Sequence, residues 1–366
     1  MTNMHKSMVA LAVGAMFTAS GAAMAAVLNN NSFIATPSGD WNTAANWSSG
    51  TVPVSTDYAI VDGGNTATVS ATPPTVGGVL IGGSGGNGTV DLSSGSVTET
   101  AGSGGLLIGA VTGVTATGAV GTLNISGGSW AVGQMDLGSN GTQTAPSTDQ
   151  GILNLSGGSM IGPSNGGLNV GLFSGPSNPS EINISGGTFS IGKYNMGLGQ
   201  NTNAGPFTGS AQLNITGDTA TISGGGAGGQ ASLMVGPNGL ISFTLGAAGV
   251  SEVNITPNAT HGGLYLSTGS TLDVNMASYT GPAATIPLIS FGNFDTGGDK
   301  AGTLTDSNFT NVNITGVPSG YGASEQATSS AINLIVTSSV PEPATLGLVL
   351  GFGAMGLLLL KRRRMA

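Results

Sequence analysis

A short unit of strand-forming residues that ends in two glycines recurs along this chain and restricts the folds open to it. In its closest copies the unit reads apolar-Asn-apolar-Ser-Gly-Gly. Its copies, close and weak, lie at residues 89–95, 122–129, 152–159, 181–188, 212–218 and 252–257. The asparagines of the unit are Asn124, Asn154, Asn183, Asn214 and Asn254, at spacings of 30, 29, 31 and 40 residues. Because one unit is too small to bury an apolar face alone, stacking on neighbouring copies is predicted.

A second motif, an apolar triplet closed by glycine, alternates with the first. Its copies lie at residues 79–82, 106–109, 135–138, 168–171, 196–199 and 233–236. Within the first unit, period-2 alternation turns Leu123 and Ile125 inward and Asn124 and Ser126 outward. A third short strand follows the Gly-Gly pair, as at 129–132. Three short strands per unit predict an all-β fold, a parallel β-solenoid, most simply a right-handed β-helix.

Glycine accounts for 66 of the 366 residues, and the solenoid explains its periodic placement. Corners between strands need positive φ or close backbone approach, which glycine supplies without steric cost. Stacked coils lie about 4.8 Å apart, so asparagines in register are expected to form a hydrogen-bonded ladder. The rival architectures are an antiparallel sandwich and a propeller. A propeller blade needs four strands in about 40 residues, whereas most of these units are nearer 30.

The pattern divides the chain into five segments. They are a signal peptide at 1–26, an N-terminal capping region at 27–75, solenoid repeats at 76–280, C-terminal capping strands at 281–337 and a tail at 338–366. The capping assignment of 27–75 rests on aromatic residues such as Trp41 and Trp47 in a chain with 5% aromatics. Terminal repeats of a solenoid need such caps to cover an open strand edge.

The tail combines a stiff tripeptide, an apolar segment and a basic end. The tripeptide is Pro341, Glu342 and Pro343; the two prolines restrict it to extended, exposed geometry. Residues 344–360 are uncharged and long enough for a transmembrane helix of about 25 Å. The stop-transfer residues that follow are Lys361, Arg362, Arg363 and Arg364. The positive-inside rule keeps these cations cytoplasmic, so the body lies on the other side of the membrane.

These three parts, in this order, make residues 340–366 similar to the PEP-CTERM sorting domain of Gram-negative, often biofilm-forming, bacteria. The resemblance implies recognition by an exosortase-type membrane protease and cleavage near Pro341–Pro343. It also implies that the precursor is anchored in the inner membrane and then delivered to the cell surface or the extracellular matrix. It implies no enzymatic activity for the rest of the chain.

The N-terminal residues are typical of a cleavable signal peptide. Lys6 supplies the positive charge, Met8–Phe17 forms a short apolar region, and small residues flank the cleavage site. The cleavage-site residues are Ala23, Ala25 and Ala26. The chain is therefore expected to be a substrate of the Sec export machinery.

The Trp41–Trp47 segment, followed by Gly-rich repeats, resembles the opening of autotransporter-passenger-like surface proteins. That resemblance covers residues 33–275 as a pattern rather than as a motif. It implies a right-handed β-helix with an adhesive or matrix role.

The charge distribution excludes several functions for the exported body. Residues 27–340 contain all but one of the 16 acidic residues and only two of the seven cations, Lys193 and Lys300. Such an acidic surface repels nucleic acid, so a nucleic-acid partner is not expected. Cysteine is absent, which excludes a disulfide scaffold.

The sequence offers little catalytic or metal-binding chemistry. His261 is the only histidine of the body, and Asp295 and Asp299 match no calcium-loop pattern. We therefore expect no catalytic site, no bound metal and no cofactor. A glycan-active β-helix hydrolase is the enzymatic alternative, since such enzymes need two carboxylates about 5–10 Å apart. Its candidate carboxylates are Asp136, Glu181, Asp218 and Glu252, and Trp130 is the nearby aromatic residue of interest.

The expected function is structural or adhesive. Stripes of Ser, Thr and Asn on a low-charge, weakly acidic face suit sugar hydroxyls through many weak hydrogen bonds, so the predicted partner is exopolysaccharide in a biofilm. A calcium-stiffened surface spacer is the further alternative.

Overall fold

The computed structural model confirms an all-β parallel β-solenoid. It describes residues 28–83, 85–100, 105–109, 118–138, 141–142, 145–146, 148–162, 167–172, 174–192, 196–199, 209–224, 233–255, 263–294 and 309–338. Three long sheets run along the solenoid. From residue 78 onward the chain passes from sheet I to sheet II to sheet III before it returns to sheet I, whereas its first four strands alternate between sheets I and II. The strands are numbered in chain order, β1 to β31.

Sheet I contains ten strands, all paired in parallel with their neighbours. They are β1 (Asn29–Ser32), β3 (Asp57–Val61), β5 (Gly78–Ile81), β8 (Gly105–Ile108), β11 (Met135–Leu137), β16 (Leu168–Val170), β19 (Met196–Leu198), β22 (Leu233–Val235), β25 (Gly263–Leu266) and β28 (Asn293–Phe294). The apolar-triplet motif forms the central strands of this sheet, as its regular spacing requires.

Sheet II also contains ten parallel strands. They are β2 (Ser38–Asp40), β4 (Asn65–Val69), β6 (Gly88–Leu92), β9 (Val120–Ile125), β14 (Gln150–Leu155), β17 (Ser180–Ile184), β20 (Ser210–Thr216), β23 (Asn238–Thr244), β26 (Thr271–Asn275) and β29 (Asn311–Thr315). The close copies of the Asn-containing unit form β9, β14 and β17, so this unit builds sheet II.

Sheet III contains nine strands and ends in an antiparallel hairpin. In sheet order they are β7 (Ser96–Thr98), β10 (Ser129–Ala131), β15 (Ser159–Ile161), β18 (Gly187–Ser190), β21 (Ala220–Gly224), β24 (Val253–Ile255), β27 (Ala284–Ser290), β31 (Ala331–Ser338) and β30 (Tyr321–Ala327). Outside the three sheets, β12 (Gly141–Thr142) and β13 (Ala145–Pro146) pair as a small antiparallel ribbon, and Ala44–Asn46 forms one 3-10 turn.

The interior of the solenoid is a single apolar core built from equivalent positions of successive coils. Leu123 lies beside Leu153, Leu153 beside Ile182, and Ile182 beside Leu213. The predicted inward side chains are all buried: Leu123, Ile125, Leu153, Leu155, Ile182, Ile184, Leu213 and Ile215. Because each coil alone has too little apolar surface, this stacking supplies the hydrophobic stabilisation of the fold.

The Gly-Gly corner between sheets II and III packs directly on the previous coil. Gly128 has φ of +71°, and a Cβ atom there would lie 2.3 Å from the carbonyl oxygen of Gly95. A side chain at this position would strain the left-handed backbone, and the contact with the Gly95 carbonyl oxygen leaves no room for a Cβ atom. The repeated glycine is therefore required by the corner.

The ordered coils extend further than residues 76–280, the range expected for the repeats. At the N-terminal end, β1 to β4 already pair in parallel within sheets I and II, although residues 57–69 lack the Asn-containing repeat unit. At the C-terminal end, β28 and β29 continue the same two sheets. Strand pairing depends on alternation and register, and glycine is needed only where a corner is tight.

The assignment of Asn254 to the asparagine ladder is wrong. Asn254 lies on β24 of sheet III, where its neighbours are Ser223 and Ser290, and the position after Asn214 in sheet II is occupied by Ser242. The sequence around Asn254 resembles the repeat unit by composition alone. The 40-residue spacing before Asn254, longer than the others, reflects this change of sheet.

Several expected features lie outside the described residues. They are the signal peptide with Ala23, Ala25 and Ala26, the segment 344–360, the sorting residues Pro341, Glu342 and Pro343, the cations Lys361, Arg362, Arg363 and Arg364, and also His261, Asp295 and Asp299. Within the part of the chain that is described, no helix has the length and apolar character needed to cross a bilayer.

Candidate functional site

The outer face of sheet II carries a row of amide and carboxylate side chains, here called the amide row. Successive strands place its members at the same register position. The row consists of Asp91, Asn124, Asn154, Asn183, Asn214, Ser242, Asp273 and Asn313. The row follows from the alternation of sheet II, since each member lies between two inward apolar residues.

Hydrogen bonds connect the amide row from coil to coil in one direction. The Nδ2 group of each asparagine donates to the side-chain oxygen of the preceding coil. The distances are 2.7 Å for Asn124 to Asp91, 2.7 Å for Asn154 to Asn124, 2.9 Å for Asn183 to Asn154 and 2.8 Å for Asn214 to Asn183. Asn313 donates to Asp273 in the same way, at 2.7 Å. The row thus contains two hydrogen-bonded series, one starting at Asp91 and one at Asp273. Each begins at a carboxylate, which accepts a charge-assisted hydrogen bond.

The amide row retains unused hydrogen-bonding capacity. An asparagine amide has two N–H donors and two acceptor sites, and the ladder uses one of each from an internal member such as Asn154. The side chains of Asn124 and Asn154 are half-buried on the outer face. The same donor and acceptor pair therefore recurs at the successive coils of Asn124, Asn154, Asn183 and Asn214, about 4.8 Å apart along the solenoid.

A second row of mostly polar side chains runs beside the amide row, two residues earlier on each strand. Its members are Thr66, Thr89, Thr122, Ile152, Glu181, Gln212, Leu240, Thr271 and Asn311. The described residues contain no Lys, Arg or His, so the whole face lacks cations. Such a surface can form neutral hydrogen bonds and can accept donors, but it offers no counter-ion to an anionic ligand.

The four carboxylates of the hydrolase alternative are distributed over different parts of the coil. Asp136 lies on β11 of sheet I and is buried, and Glu181 lies on β17 of sheet II. Asp218 and Glu252 lie between sheets II and III, where Glu252 accepts a hydrogen bond from Ser290 Oγ. Trp130 is fully buried in the core and is not available to stack on a sugar.

A buried polar cluster at the corner between sheets III and I was missed by the sequence reasoning. Glu99 is 5% exposed, and its Oε1 atom accepts a 2.9 Å hydrogen bond from Trp130 Nε1. Desolvation by burial raises the pKa of Glu99 to about 8, against the lowering effect of hydrogen bonds from Trp130 and the Gly133 backbone. The alternation of inward and outward residues could have predicted its burial. Glu99 follows the inward-facing Val97 by two residues, so its side chain points to the same side of the chain.

Two further titratable groups lie near this corner. Burial raises the pKa of Asp136, although hydrogen bonds from Asn169 (2.7 Å) and Gln134 (3.3 Å) oppose the shift. Burial also raises the pKa of Tyr58 well above its usual value, and the charges of Glu99 and Asp136 add to that shift. The charges of Glu99 and Asp136 therefore both act on Tyr58, and the three residues come from three different coils.

No set of three or more His, Cys, Asp or Glu side chains in the described ranges is arranged to hold a metal ion. We found no protein-family model, no curated protein and no solved structure that matches this chain.

Proposed function

We propose that this chain is an exported, non-catalytic protein of the cell surface or extracellular matrix, with a structural and adhesive role toward exopolysaccharide. The observation that supports the proposal is the amide row, a periodic set of mostly neutral donors and acceptors along one face of the solenoid. A polysaccharide presents hydroxyl groups at regular intervals, so many weak hydrogen bonds can act together without a single deep pocket.

The charge of the body limits the class of polymer. The described residues contain no cations, and the amide row includes Asp91 and Asp273. Electrostatic repulsion is therefore expected to disfavour uronate-rich polysaccharides, whereas neutral polysaccharides are not repelled. For the same reason nucleic acid is not proposed as a partner.

The export route is the second part of the proposal. We propose that the Sec machinery exports the chain, that residues 1–26 are removed, and that residues 344–360 anchor the precursor in the inner membrane of a Gram-negative bacterium. An exosortase-type protease then recognises Pro341, Glu342 and Pro343. We further propose a right-handed coil, because β-crossover connections between parallel strands are right-handed in almost all cases.

A co-sedimentation experiment tests the adhesive role. The purified exported body is mixed with an insoluble neutral glucan, and binding to soluble alginate, an anionic polymer, is measured separately by affinity electrophoresis. We expect binding to the glucan, weakened several-fold when Asn154 and Asn183 are both replaced by leucine. The matched control replaces Ile161, which is exposed on sheet III, with leucine. Binding to alginate alone, or equal binding by both variants, would contradict the proposal.

The export proposal is tested by cell fractionation and by the intact mass of the mature protein. We expect the mature form on the surface or in the matrix, without residues 1–26 and without the apolar segment 344–360. A mature protein that retains this apolar segment would exclude proteolytic sorting.

A further inference from the structure

A continuous series of aromatic contacts links the first coil of the solenoid to sheet III. Phe33 packs edge-on against Trp47 at 5.1 Å, Trp47 against Trp41 at 4.8 Å, and Trp41 against Trp130 at 6.5 Å between ring centroids. All four side chains are buried. In the described residues sheet III begins only at β7, so the first coil, which contains Phe33, Trp41 and Trp47, lacks a third strand.

Glu99 holds the last ring of this series. Trp130 Nε1 donates to Glu99 Oε1 at 2.9 Å, while Glu99 Oε2 is buried without a hydrogen-bond partner in the described structure. The Tyr58 hydroxyl is buried and unpartnered in the same sense. Tyr58 on β3 lies within electrostatic reach of Glu99 and of Asp136 on β11, and all three groups are acidic.

Among the described residues there is no Lys, Arg or His that could serve as a counter-ion to a charged Glu99. A buried carboxylate without a counter-ion costs several kcal/mol, a cost that is avoided if the group stays neutral or moves to water. Glu99 lies at the corner after β7, where its backbone N–H donates to the Ala131 carbonyl at 3.1 Å. Exposing the side chain therefore requires a local opening of the corner and leaves the other coils intact.

We propose that Glu99 is a proton-dependent latch for the N-terminal end of the solenoid: the neutral carboxyl retains Trp130 and the aromatic series behind it, and ionisation releases them. The latch is independent of the proposed adhesive function. Burial places the pKa of Glu99 at about 8, so release falls at mildly alkaline pH. The expected consequence is a solenoid whose first coils loosen in alkaline surroundings while the remaining coils stay folded.

Intrinsic fluorescence tests the latch directly, because the chain has three tryptophans and all of them belong to this series. The full chain is titrated from pH 6 to pH 10 while tryptophan emission, acrylamide quenching and far-UV circular dichroism are recorded. We expect a reversible red shift and increased quenching with a midpoint near pH 8, and an unchanged far-UV spectrum. A constant emission over this range, or a simultaneous loss of the far-UV signal, would overturn the proposal.

Three variants assign the transition to Glu99. Glu99→Gln keeps the neutral shape of the carboxyl and should abolish the midpoint, whereas Glu181→Gln, on the outer face of sheet II, should retain it. Trp130→Phe removes the N–H that stabilises the ionised form, so the midpoint should move to higher pH, as the remaining two tryptophans report. If Glu99→Gln does not fold, Trp130→Phe still decides: an unchanged or lower midpoint would refute the latch.

Discussion

The Asn124 amide donates a 2.7 Å hydrogen bond to the carboxylate of Asp91, its neighbour in the preceding coil. The same arrangement recurs between Asn169 and Asp136 and between Asn313 and Asp273, each at 2.7 Å. In all three pairs the carboxylate lies on the earlier coil. An acceptor-only group at that end lets every later asparagine donate in the same direction, which gives the row a fixed polarity.

Replacing Asn124 with alanine should therefore destabilise the solenoid by about 1–3 kcal/mol, because Asp91 loses its donor and Asn154 loses its acceptor. Urea denaturation of the exported body measures the change. Thr122→Ala is the matched control, since Thr122 lies on the same strand and the same face. Equal free energies of unfolding for the two variants would contradict a stabilising role for the row.

Asn124→Asp should destabilise more than Asn124→Ala at neutral pH, because it places a second carboxylate against Asp91. Salt screens the repulsion, so the difference between the two variants should shrink as the ionic strength rises. Thermal melting at several salt concentrations checks this expectation. A difference that does not depend on salt would indicate a steric effect.

Gly128→Ala and Gly217→Ala separate two costs of a side chain at a left-handed position. The φ angles are +71° and +72°, but a Cβ atom on Gly128 would meet the Gly95 carbonyl oxygen at 2.3 Å, whereas nothing lies within 4 Å at Gly217. We expect Gly217→Ala to cost about 1–2 kcal/mol from backbone strain. Gly128→Ala should cost clearly more, because the previous coil must also move. Chemical denaturation measures both, and similar losses would show that contact with the previous coil is unimportant.

Phe189→Ala should destabilise the protein by about 3–5 kcal/mol, because the fully buried ring lies between the equivalent core residues Met160 and Ile222. Ile161→Ala is the control on the same sheet. Its side chain is 48% exposed, so we expect a loss below about 0.5 kcal/mol. Differential scanning calorimetry of both variants tests the difference. A small loss for Phe189→Ala would mean that the coils can close over the space.

Stability should decrease as the pH rises from about 4.5 to about 8, the two pKa values of Glu99 in the unfolded and folded states. The folded state binds this proton more tightly, so the contribution is fully present below the lower value and is lost toward the upper one. Between them the slope is about 1.4 kcal/mol per pH unit. Urea midpoints across this range measure the slope, and Glu99→Gln should reduce it. Asp136 acts in the same direction and remains in that variant, so the slope should not vanish entirely.

Most of the architecture can be predicted from the sequence, because the same pattern of inward, outward and corner residues recurs along the solenoid. The alternation around Leu123 and Ile125 identifies the core, and the spacing from Asn124 to Asn214 identifies the register. The error at Asn254 has a physical reason: an apolar-Asn-apolar triplet suits any strand with one buried face, so composition does not assign it to a particular sheet.

The buried corner was beyond sequence reasoning for a different reason. Glu99, Tyr58 and Asp136 are separated along the chain by 37 to 78 residues, and only the three-dimensional coil brings them together. An isolated glutamate in an acidic chain is normally predicted to be a solvent-exposed charge. The alternation with Val97 predicts a buried side chain instead, but buried carboxylates are rare in general, so the exposed position is the stronger prediction.

The equivalence of Leu123, Leu153 and Ile182 has a consequence for how such a protein can change over time. Loss or duplication of one 30-residue unit would join backbone segments that already have the same conformation and the same inward residues. The length of the solenoid can therefore change by whole coils while its cross-section stays constant. Evolution can lengthen or shorten the protein without changing how its interior is packed.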